Sequence, residues 1–371
     1  MIRLRRGIVV ALGAARPGAH ELEVDVDGTR ATAISYPELS GPVTVGDTVI
    51  LNTTAVALGL GTGGVHFVVA VEGADGEDGA DGADGQRPGQ VMKARYTPVQ
   101  TAVVSVEESH REALERSSGL DGTPVVCAPL HSMLGPIAAG ATRAGRARVV
   151  YVMTDGAALP GAFSRSVFEL RETGLIDGWI TCGQAFGGDL EAVTVWTGMI
   201  AAKEILGADV IVVADGPGNL GTDTTWGVSA LGSGNALNAV AALGGRPIPS
   251  LRISFADGRA RHRGVSHHSL TILRDVCLVA TDVPVPALAD DTQRRVVWDA
   301  LRTAELEQRH RLVEVDGRPA LDELAARHLE PRSMGRGVED DPAYFLGAGA
   351  AGVLAGRTAV GNRRWKPPED A

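Results

Sequence analysis

The chain has 371 residues, which exceeds the usual size of one domain and favours two domains, or one domain with an attachment. Its composition, 44% hydrophobic with 48 glycines, indicates a folded α/β protein rich in small residues and excludes an extensively disordered chain. The formal net charge of −10 argues against non-specific nucleic-acid binding, so we expect no nucleic-acid partner.

Residues 1–105 are predicted to form a small all-β domain, either a barrel or a sandwich. The segment ELEVDVDGTRATAISY at 21–36 alternates apolar and polar residues on both sides of Asp27 and Gly28, which predicts a hairpin with a two-residue turn. Further strands are predicted at 47–53, 66–71 and 91–105. No catalytic set of residues is evident in this domain.

The first residues, MIRLRRGIVVALGAARPGA, combine a basic start with a short apolar run, a pattern shared by secretory signals and β-strands. We favour a first β-strand, because the run is short and leads directly into the predicted hairpin. The apolar segment at 345–356 is shorter than the ~20 residues that a membrane span needs, so it predicts a packed helix and no membrane partner. The cytoplasm is therefore the expected location.

The segment GADGEDGADGADGQ places glycine at every third position from Gly73 to Gly85. It contains no proline and is too short for a collagen triple helix. We predict a mobile acidic loop over 73–87, with a weak calcium site as the alternative. The three cysteines, Cys127, Cys182 and Cys277, lack metal-binding spacing and are predicted to be reduced thiols in the core.

Residues 106–285 alternate apolar runs with helical segments, which predicts a doubly wound, mostly parallel Rossmann-like α/β sheet. Strands are predicted at 124–129, 147–153, 178–182, 209–214, 248–255 and 276–280. Helices are predicted near 133–144, 162–173, 189–206, 228–243 and 266–274. Residues 286–371 add C-terminal helices near 288–309, 319–328 and 342–357, followed by a frayed tail. These helices are expected to pack on the sheet or on a second subunit of a homo-oligomer.

Polar residues follow the predicted strands, where ligands bind at the carboxyl edge of such sheets. The candidate catalytic residues are His131, Asp155, Asp215, His267 and His268. Ser266 is predicted to be the N-cap of a helix, which places His267 and His268 in its first turn. The positive end of the helix dipole disfavours imidazolium there, so both rings are expected to be neutral and able to act as a general base. The acids would orient the base or hold a divalent cation. Capping and turn formation are the structural alternative for each residue.

The segment GPGNLG has the spacing of a phosphate-binding glycine loop, but it follows the fourth strand and has no acid about 20 residues further on. A dinucleotide site is therefore disfavoured. The candidate residues for binding an anion or cofactor are Gly216, Gly218, Asn219, Gly221 and Thr222. A turn with a capping role is the alternative. A tentative metal site comprises His262, His267 and Asp215, although the histidine spacing matches no structural zinc pattern.

Several long motifs resemble a known family. They are TVILNTTAVALGLGTGGVHFVV, VMKARYTPVQ, MTDGAALPGAFSR, CGQAFGGDLEAV, DGPGNLGTDT and RISFADGRARHRGVSHHSLTIL. Together they resemble the bacterial domain-of-unknown-function family 3866 over about residues 5–357. The resemblance supports an intact chain without a cleaved signal, and it implies no activity.

The residues lead to two hypotheses of function. The first is an enzyme, a hydrolase or transferase, that acts on a small anionic metabolite by His/Asp acid–base or metal-assisted chemistry. The alternative is a non-catalytic regulatory protein that binds a nucleotide or metabolite in the same crevice. A serine hydrolase of the nucleophile-elbow type is disfavoured because no G-x-S-x-G motif occurs.

Overall fold

A computed structural model describes residues 2–60, 64–73, 89–222 and 224–364. The chain divides into two compact units, Met1–Val104 and Ser105–Ala371. The predicted acidic loop, from residue 74 onward, and the predicted C-terminal tail beyond residue 364 lie outside the described residues.

The first unit contains a closed five-stranded β-barrel with the strand order β1-β2-β3-β5-β4. The strands are β1 (Leu4–Arg16), β2 (Ala19–Val26), β3 (Thr29–Ser35), β4 (Thr48–Asn52) and β5 (His66–Val71). The predicted hairpin is β2–β3, and its turn residues Asp27 and Gly28 have φ angles of 52° and 80°, as a type I′ turn requires. Alternate residues such as Val9, Leu22 and Leu51 fill the interior.

Short elements complete this unit. They are helices α1 (Pro37–Ser40) and α2 (Thr54–Ala57), and strands β6 (Val91–Lys93) and β7 (Thr101–Val103). The last two pair antiparallel, so the apolar stretch at 91–105 forms two short strands. The basic N-terminal segment is strand β1, which pairs with both β2 and β4.

The second unit is built on a six-stranded sheet with the order β11-β10-β9-β12-β8-β13, in which every neighbouring pair is parallel. Its strands are β8 (Pro124–Cys127), β9 (Val149–Thr154), β10 (Gly178–Cys182), β11 (Leu190–Ala192), β12 (Val210–Asp215) and β13 (Arg246–Pro249). The unit is thus the predicted doubly wound, parallel α/β structure.

Helices and smaller strands surround this sheet. The helices are α3 (Val106–Ser109), α4 (Arg111–Arg116), α5 (Leu134–Gly145), α6 (Arg165–Glu172), α7 (Val195–Glu204), α8 (Gly232–Ala242), α9 (His267–Thr271), α10 (Asp291–Thr303), α11 (Arg318–Ala326) and α12 (Pro342–Arg364). Two further pairs of strands are β14 (Ile253–Ser254) with β15 (Gly264–Val265), and β16 (Asp282–Pro286) with β17 (Arg311–Val315).

Successive residues of each central strand enter different cores, because side chains alternate across a sheet. Val125 and Ile211 pack with helices α7 and α8, whereas Val126 and Val212 pack with α5, α11 and α12. The central strands are buried on both faces and therefore read as continuous apolar runs. This arrangement leaves the carboxyl edge of the sheet as the place where polar loops gather.

Three predicted elements were wrong. The predicted strand at 248–255 divides into β13, in the parallel sheet, and β14, which pairs antiparallel with β15. The predicted helix at 189–206 begins with strand β11, whose three residues are too few to show a period. The predicted strand at 276–280 does not form, and the strand lies at β16 instead. At 276–280 the Asn238 side chain donates to the Val276 carbonyl and accepts from the Leu278 amide. These two backbone groups are therefore not available for hydrogen bonds with a neighbouring strand.

The three cysteines are buried and none forms a disulfide, in agreement with the prediction of reduced thiols in the core. No helix within the described part of the chain combines the length and apolar character needed to cross a membrane.

Candidate functional site

A cavity of about 550 Å³ lies at the carboxyl edge of the parallel sheet. Its walls come from the loops after β8 and β12, from the start of α6, and from segments at 252–268 and 332–334. This volume is within the range of small-molecule sites, and the position is the one that parallel α/β sheets use for ligands. The cavity is therefore the candidate functional site.

His131 lies in the wall of this cavity, directly after β8, and its ring is hydrogen-bonded at both nitrogens. Nδ1 lies 3.2 Å from the carbonyl oxygen of Asp215, and Nε2 lies 2.7 Å from Ser164 Oγ. Because a carbonyl only accepts, Nδ1 carries the proton and Nε2 accepts from the serine hydroxyl. Burial lowers the pKa of His131 to about 4. The ring is thus neutral at pH 7, with its lone pair directed at Ser164.

Ser164 is the N-cap residue of helix α6 and is 3% exposed. Its Oγ accepts a hydrogen bond of 3.1 Å from the Val167 amide while it donates to His131. This hydroxyl lies at a helix N-terminus and donates to a neutral imidazole. Both the base and the positive end of the helix dipole favour loss of its proton, which makes the oxygen more nucleophilic. Ser164 was not predicted as a site residue, because its only sequence signal is that of a capping residue in the segment GAFSRSV.

Asp215 ends strand β12 and fixes the loop that follows. Its carboxylate accepts from Thr154 Oγ1 at 2.6 Å, from the Gly156 amide at 3.0 Å and from Asn219 Nδ2 at 3.2 Å. Burial raises the pKa of Asp215, although these hydrogen bonds oppose the rise. Asn219 also donates to the Pro129 carbonyl, at 3.3 Å, which joins the loops after β12 and β8. The carboxylate therefore holds two walls of the cavity in register.

The three positions occupied by glycine in GPGNLG differ in whether the structure requires glycine there. A Cβ at Gly216 would lie 2.5 Å from Met153 Cε and 2.7 Å from a backbone oxygen, so this position requires close packing. Gly218 has φ = 90°, a conformation that side chains rarely adopt, and no atom lies within 4 Å of an added Cβ. Gly221 carries neither restriction. Gly218 and Gly221 line the cavity, whereas Gly216 is not among its lining residues.

The cavity is strongly basic. Its lining includes five arginines and, among the described residues, no aspartate or glutamate. The arginines are Arg165, Arg252, Arg259, Arg261 and Arg332. Arg252 is 7% exposed and pairs with Asp257 at 3.0 Å, while Arg259 pairs with the same carboxylate at 2.8 Å. Hydrogen bonds from Arg259 hold the pKa of Asp257 well below its usual range. Even with this anion, positive charge predominates around the cavity.

Three histidines form a cluster beside these arginines. The potential ligand atoms of His262, His267 and His268 all lie within 4.8 Å of one another. The ring centroids of His267 and His268 are 4.0 Å apart, and His262 lies 5.1 and 5.0 Å from them. Burial, followed by nearby arginines, lowers the pKa of His262 to about 3, and burial is also the main cause that lowers the pKa of His268 to about 4. His262 and His268 line the cavity.

The structure brings many of the predicted site residues to this cavity. The lining residues predicted from sequence are His131, Gly218, Asn219, Gly221, Thr222, His262 and His268. His267 belongs to the histidine cluster, and Asp155 accepts from the Gln184 amide at 2.8 Å. Asp215 is not part of that cluster, so the metal set predicted from sequence and the observed histidine group differ by one member. The catalytic and binding roles of these residues stay predictions.

The five arginines of the lining were not predicted from sequence as site residues. The signal was nevertheless present: Arg252, Arg259, Arg261 and Arg263 fall within twelve residues of an acidic chain. Such a local excess of one charge indicates a site for the opposite charge.

These features define an α/β protein in which a parallel sheet carries a cavity lined by arginines and histidines. The chain belongs to the family described as protein of unknown function (DUF3866), which matches residues 32–352. A search of curated proteins found no match.

Proposed function

We propose that the protein is an enzyme that acts on a small anionic metabolite in the arginine-lined cavity. The observation that carries this proposal is the set of five arginines around one cavity in a chain of net charge −10. A concentration of guanidinium groups against the overall charge attracts anions locally, and guanidinium matches the geometry of carboxylates and phosphates.

The arginines differ in how firmly they are held, which supports recognition of a multiply charged ligand. The ion pair with Asp257 fixes the buried Arg252, whereas Arg332 is exposed at the rim. A ligand with two or more anionic groups would contact both the buried Arg252 and Arg332 at the rim. Because Arg252 is already partly neutralised by Asp257, we expect the exposed rim to contribute most to long-range attraction and Arg252 to orientation.

The reactive groups at the cavity support hydrolysis or group transfer. His131 is a neutral base within 2.7 Å of the Ser164 hydroxyl, and the Asp215 carbonyl fixes its tautomer. In this proposal His131 accepts the proton of Ser164 as Oγ attacks the substrate, and the protonated imidazole donates that proton to the leaving group as its bond to the substrate breaks. A water or a second acceptor, deprotonated by His131 in the same way, then releases the transferred group from Oγ and restores the Ser164 hydroxyl. His131, predicted as a catalytic residue, thus acts with a serine that lies outside any G-x-S-x-G motif.

The expected location in a bacterial cytoplasm is also a proposal. Three buried cysteines that form no disulfide support a reducing compartment. A homo-oligomer stays a prediction.

Identification of the ligand tests the proposed function. The purified full-length protein is denatured, and the released small molecules are measured by mass spectrometry against a buffer control. We expect one anionic metabolite to be enriched, and the same compound to raise the melting temperature of the protein when it is added back. Arg252→Gln and Arg332→Gln should each reduce the rise in melting temperature that the ligand causes. Arg294→Gln, which changes an exposed arginine of helix α10, should leave it unchanged.

Three outcomes separate the hypotheses. Enrichment of an anion that the protein converts to a product supports the enzyme. Tight binding without turnover supports the regulatory alternative. If no anion is enriched, and phosphate, pyrophosphate and citrate all leave the melting temperature unchanged, the cavity is not an anion site and the proposal fails.

A further inference from the structure

The histidine cluster contains two buried ring nitrogens without a hydrogen-bond partner among the described residues. They are Nε2 of His267 and Nε2 of His268. An unpartnered buried nitrogen costs free energy, so native proteins rarely leave two of them side by side without a reason. Here both nitrogens belong to the group of three imidazoles whose potential ligand atoms lie within 4.8 Å of one another.

From this geometry we infer that His262, His267 and His268 form a binding site for a divalent transition-metal ion. Three imidazoles whose potential ligand atoms lie within 4.8 Å of one another can supply three of the four ligands of a tetrahedral site, and a metal ion between them would satisfy the unpartnered nitrogens. The site stands on the imidazole geometry alone and does not depend on the proposed function.

The surrounding backbone positions the three rings. Strands β14 and β15 pair antiparallel, and the Ser266 amide donates to the Arg252 carbonyl at 2.8 Å, so the turn of helix α9 begins at a fixed place. Ser266 Oγ lies 2.8 Å from Nδ1 of His262 and caps α9 by accepting from the His268 amide. Metal-binding histidines commonly use their second nitrogen in this way, since the bond fixes the ring orientation. The Nε2 atom of His262 is then its potential ligand atom.

The donor set selects the class of metal. Ca²⁺ and Mg²⁺ prefer oxygen ligands, which this cluster lacks, whereas imidazole suits Zn²⁺, Ni²⁺, Cu²⁺ and Fe²⁺. Three protein ligands leave a position for water or substrate, which is the arrangement of catalytic rather than structural zinc sites. The composition of the cluster therefore favours Zn²⁺ or a similar ion with one open position.

Arg252 and Arg261, which lie on the same cavity wall as His262 and His268, oppose a divalent cation electrostatically but favour an anion as its fourth ligand. Hydroxide or an anionic group of a ligand would therefore complete the coordination. The identity of this fourth ligand rests on the proposed function. In that setting the metal would polarise the bound anion or lower the pKa of a bound water.

Metal binding to the full-length protein tests the inference directly. The protein is treated with a chelator, dialysed, and titrated with Zn²⁺ and with Co²⁺ in a buffer free of phosphate and carboxylates. We expect one ion per chain by elemental analysis and a visible Co²⁺ spectrum of four-coordinate intensity. His268→Ala and His267→Gln should each weaken Zn²⁺ binding by about 100-fold or more, since loss of outer-shell groups alone costs 10–100-fold.

A matched variant and a folding check make the result decisive. His110→Ala, which changes a histidine outside the cluster, should bind Zn²⁺ like the original chain. His267 is the less buried member of the pair, so His267→Gln provides a folded variant if His268→Ala unfolds, and thermal melting without metal establishes which variants are folded. Failure of the original chain to hold a stoichiometric ion, or equal affinity in a folded His267→Gln protein, overturns the metal site. Neither outcome depends on anion binding, so failure of the proposed function is measured separately.

Discussion

Nε2 of His131 lies 2.7 Å from Oγ of Ser164, although 33 residues separate them in the sequence. One residue follows strand β8 and the other caps helix α6, so the contact joins two elements at the carboxyl edge of the sheet. The bond gives Ser164 two tasks, because the same oxygen caps the helix and donates to a neutral base. A substitution therefore affects both stability and chemistry, and these effects are separable.

Ser164→Ala removes the hydroxyl and leaves His131 in place. Loss of an N-cap costs about 1 kcal/mol. In a unit of this size the melting temperature should fall by roughly 2–4 °C. If Ser164 and His131 act together, turnover of the identified substrate should fall by about 10²-fold or more. Ser166→Ala, in the first turn of the same helix and on the same cavity wall, is the control and should keep both. Full turnover by a folded Ser164→Ala protein would show that this oxygen takes no part in the reaction.

The lowered pKa of His131 predicts a dependence of stability on pH. The unfolded chain binds a proton at this residue below about pH 6.5. The folded protein does so only near pH 4. The free energy of unfolding therefore decreases as the pH falls through this window, and the contribution of His131 is about 2–3 kcal/mol by about pH 4.5. His262 and His268 add to the same trend, so the comparison must isolate His131.

Urea unfolding with a chelator present, at about pH 7 and about pH 4.5, provides that comparison. His131→Gln keeps a polar side chain but removes the titration, so the variant should lose about 2–3 kcal/mol less than the original chain between these conditions. An identical loss in both proteins would mean that His131 is accessible to protons in the folded state.

The hydrogen bonds of the Asp215 carboxylate predict that replacing this residue with asparagine destabilises the protein. Asp215→Asn keeps the size of the side chain but replaces one acceptor oxygen with a donor, which leaves either Asn219 or the Thr154–Gly156 pair without its bond. The free energy of unfolding should decrease by about 1–3 kcal/mol. Affinity for the identified ligand should also decrease because the loop after β12 is no longer fixed. Asp299→Asn, at an exposed carboxylate on helix α10, should change neither quantity.

The glycines at 218 and 221 provide a matched pair. Gly218→Ala places a side chain at φ = 90°, a strain of about 1–2 kcal/mol, and should shift the loop that lines the cavity. At Gly221 an added Cβ would lie 3.7 Å from Val228, an ordinary contact, so Gly221→Ala should stay within about 0.5 kcal/mol of the original chain. Thermal melting and ligand titration of both variants measure the difference. Equal behaviour would remove the backbone conformation of Gly218 as a determinant of the site.

Much of the fold could be predicted from local patterns. Alternation around Asp27-Gly28 and continuous apolar strands are direct consequences of how strands are buried, and both predictions are confirmed. Strand β11 escaped prediction because three residues carry no period. The strand expected at 276–280 failed because Asn238, distant in sequence, takes the backbone hydrogen bonds there.

The candidate site could be predicted where residues follow a strand or begin the next helix. His131 and Asn219 were found in this way, because the topology alone brings strand ends together. Ser164 lies ten residues beyond the end of β9, and Arg332 lies in a loop far along the chain, so neither is related to the cavity by a local pattern. Their positions depend on tertiary packing, which single-sequence periodicity does not encode.

The packing of helix α12 on helix α5 has a consequence for the order of folding. An added Cβ at Gly352 would lie 2.0 Å from the Ile137 carbonyl oxygen, and one at Gly145 would lie 2.4 Å from the Gly356 oxygen, so the two backbones are in direct contact. Tyr344 at the start of α12 also bonds Ser132, 212 residues earlier, with a distance of 2.6 Å between their oxygens. During synthesis, helix α5 can already pack on the strands of the sheet, but its face toward α12 stays unburied until α12 leaves the ribosome. The wall that holds His131 is therefore completed only after α12 has been synthesised, and a chain stalled before α12, although it contains every candidate catalytic residue, would still lack this wall.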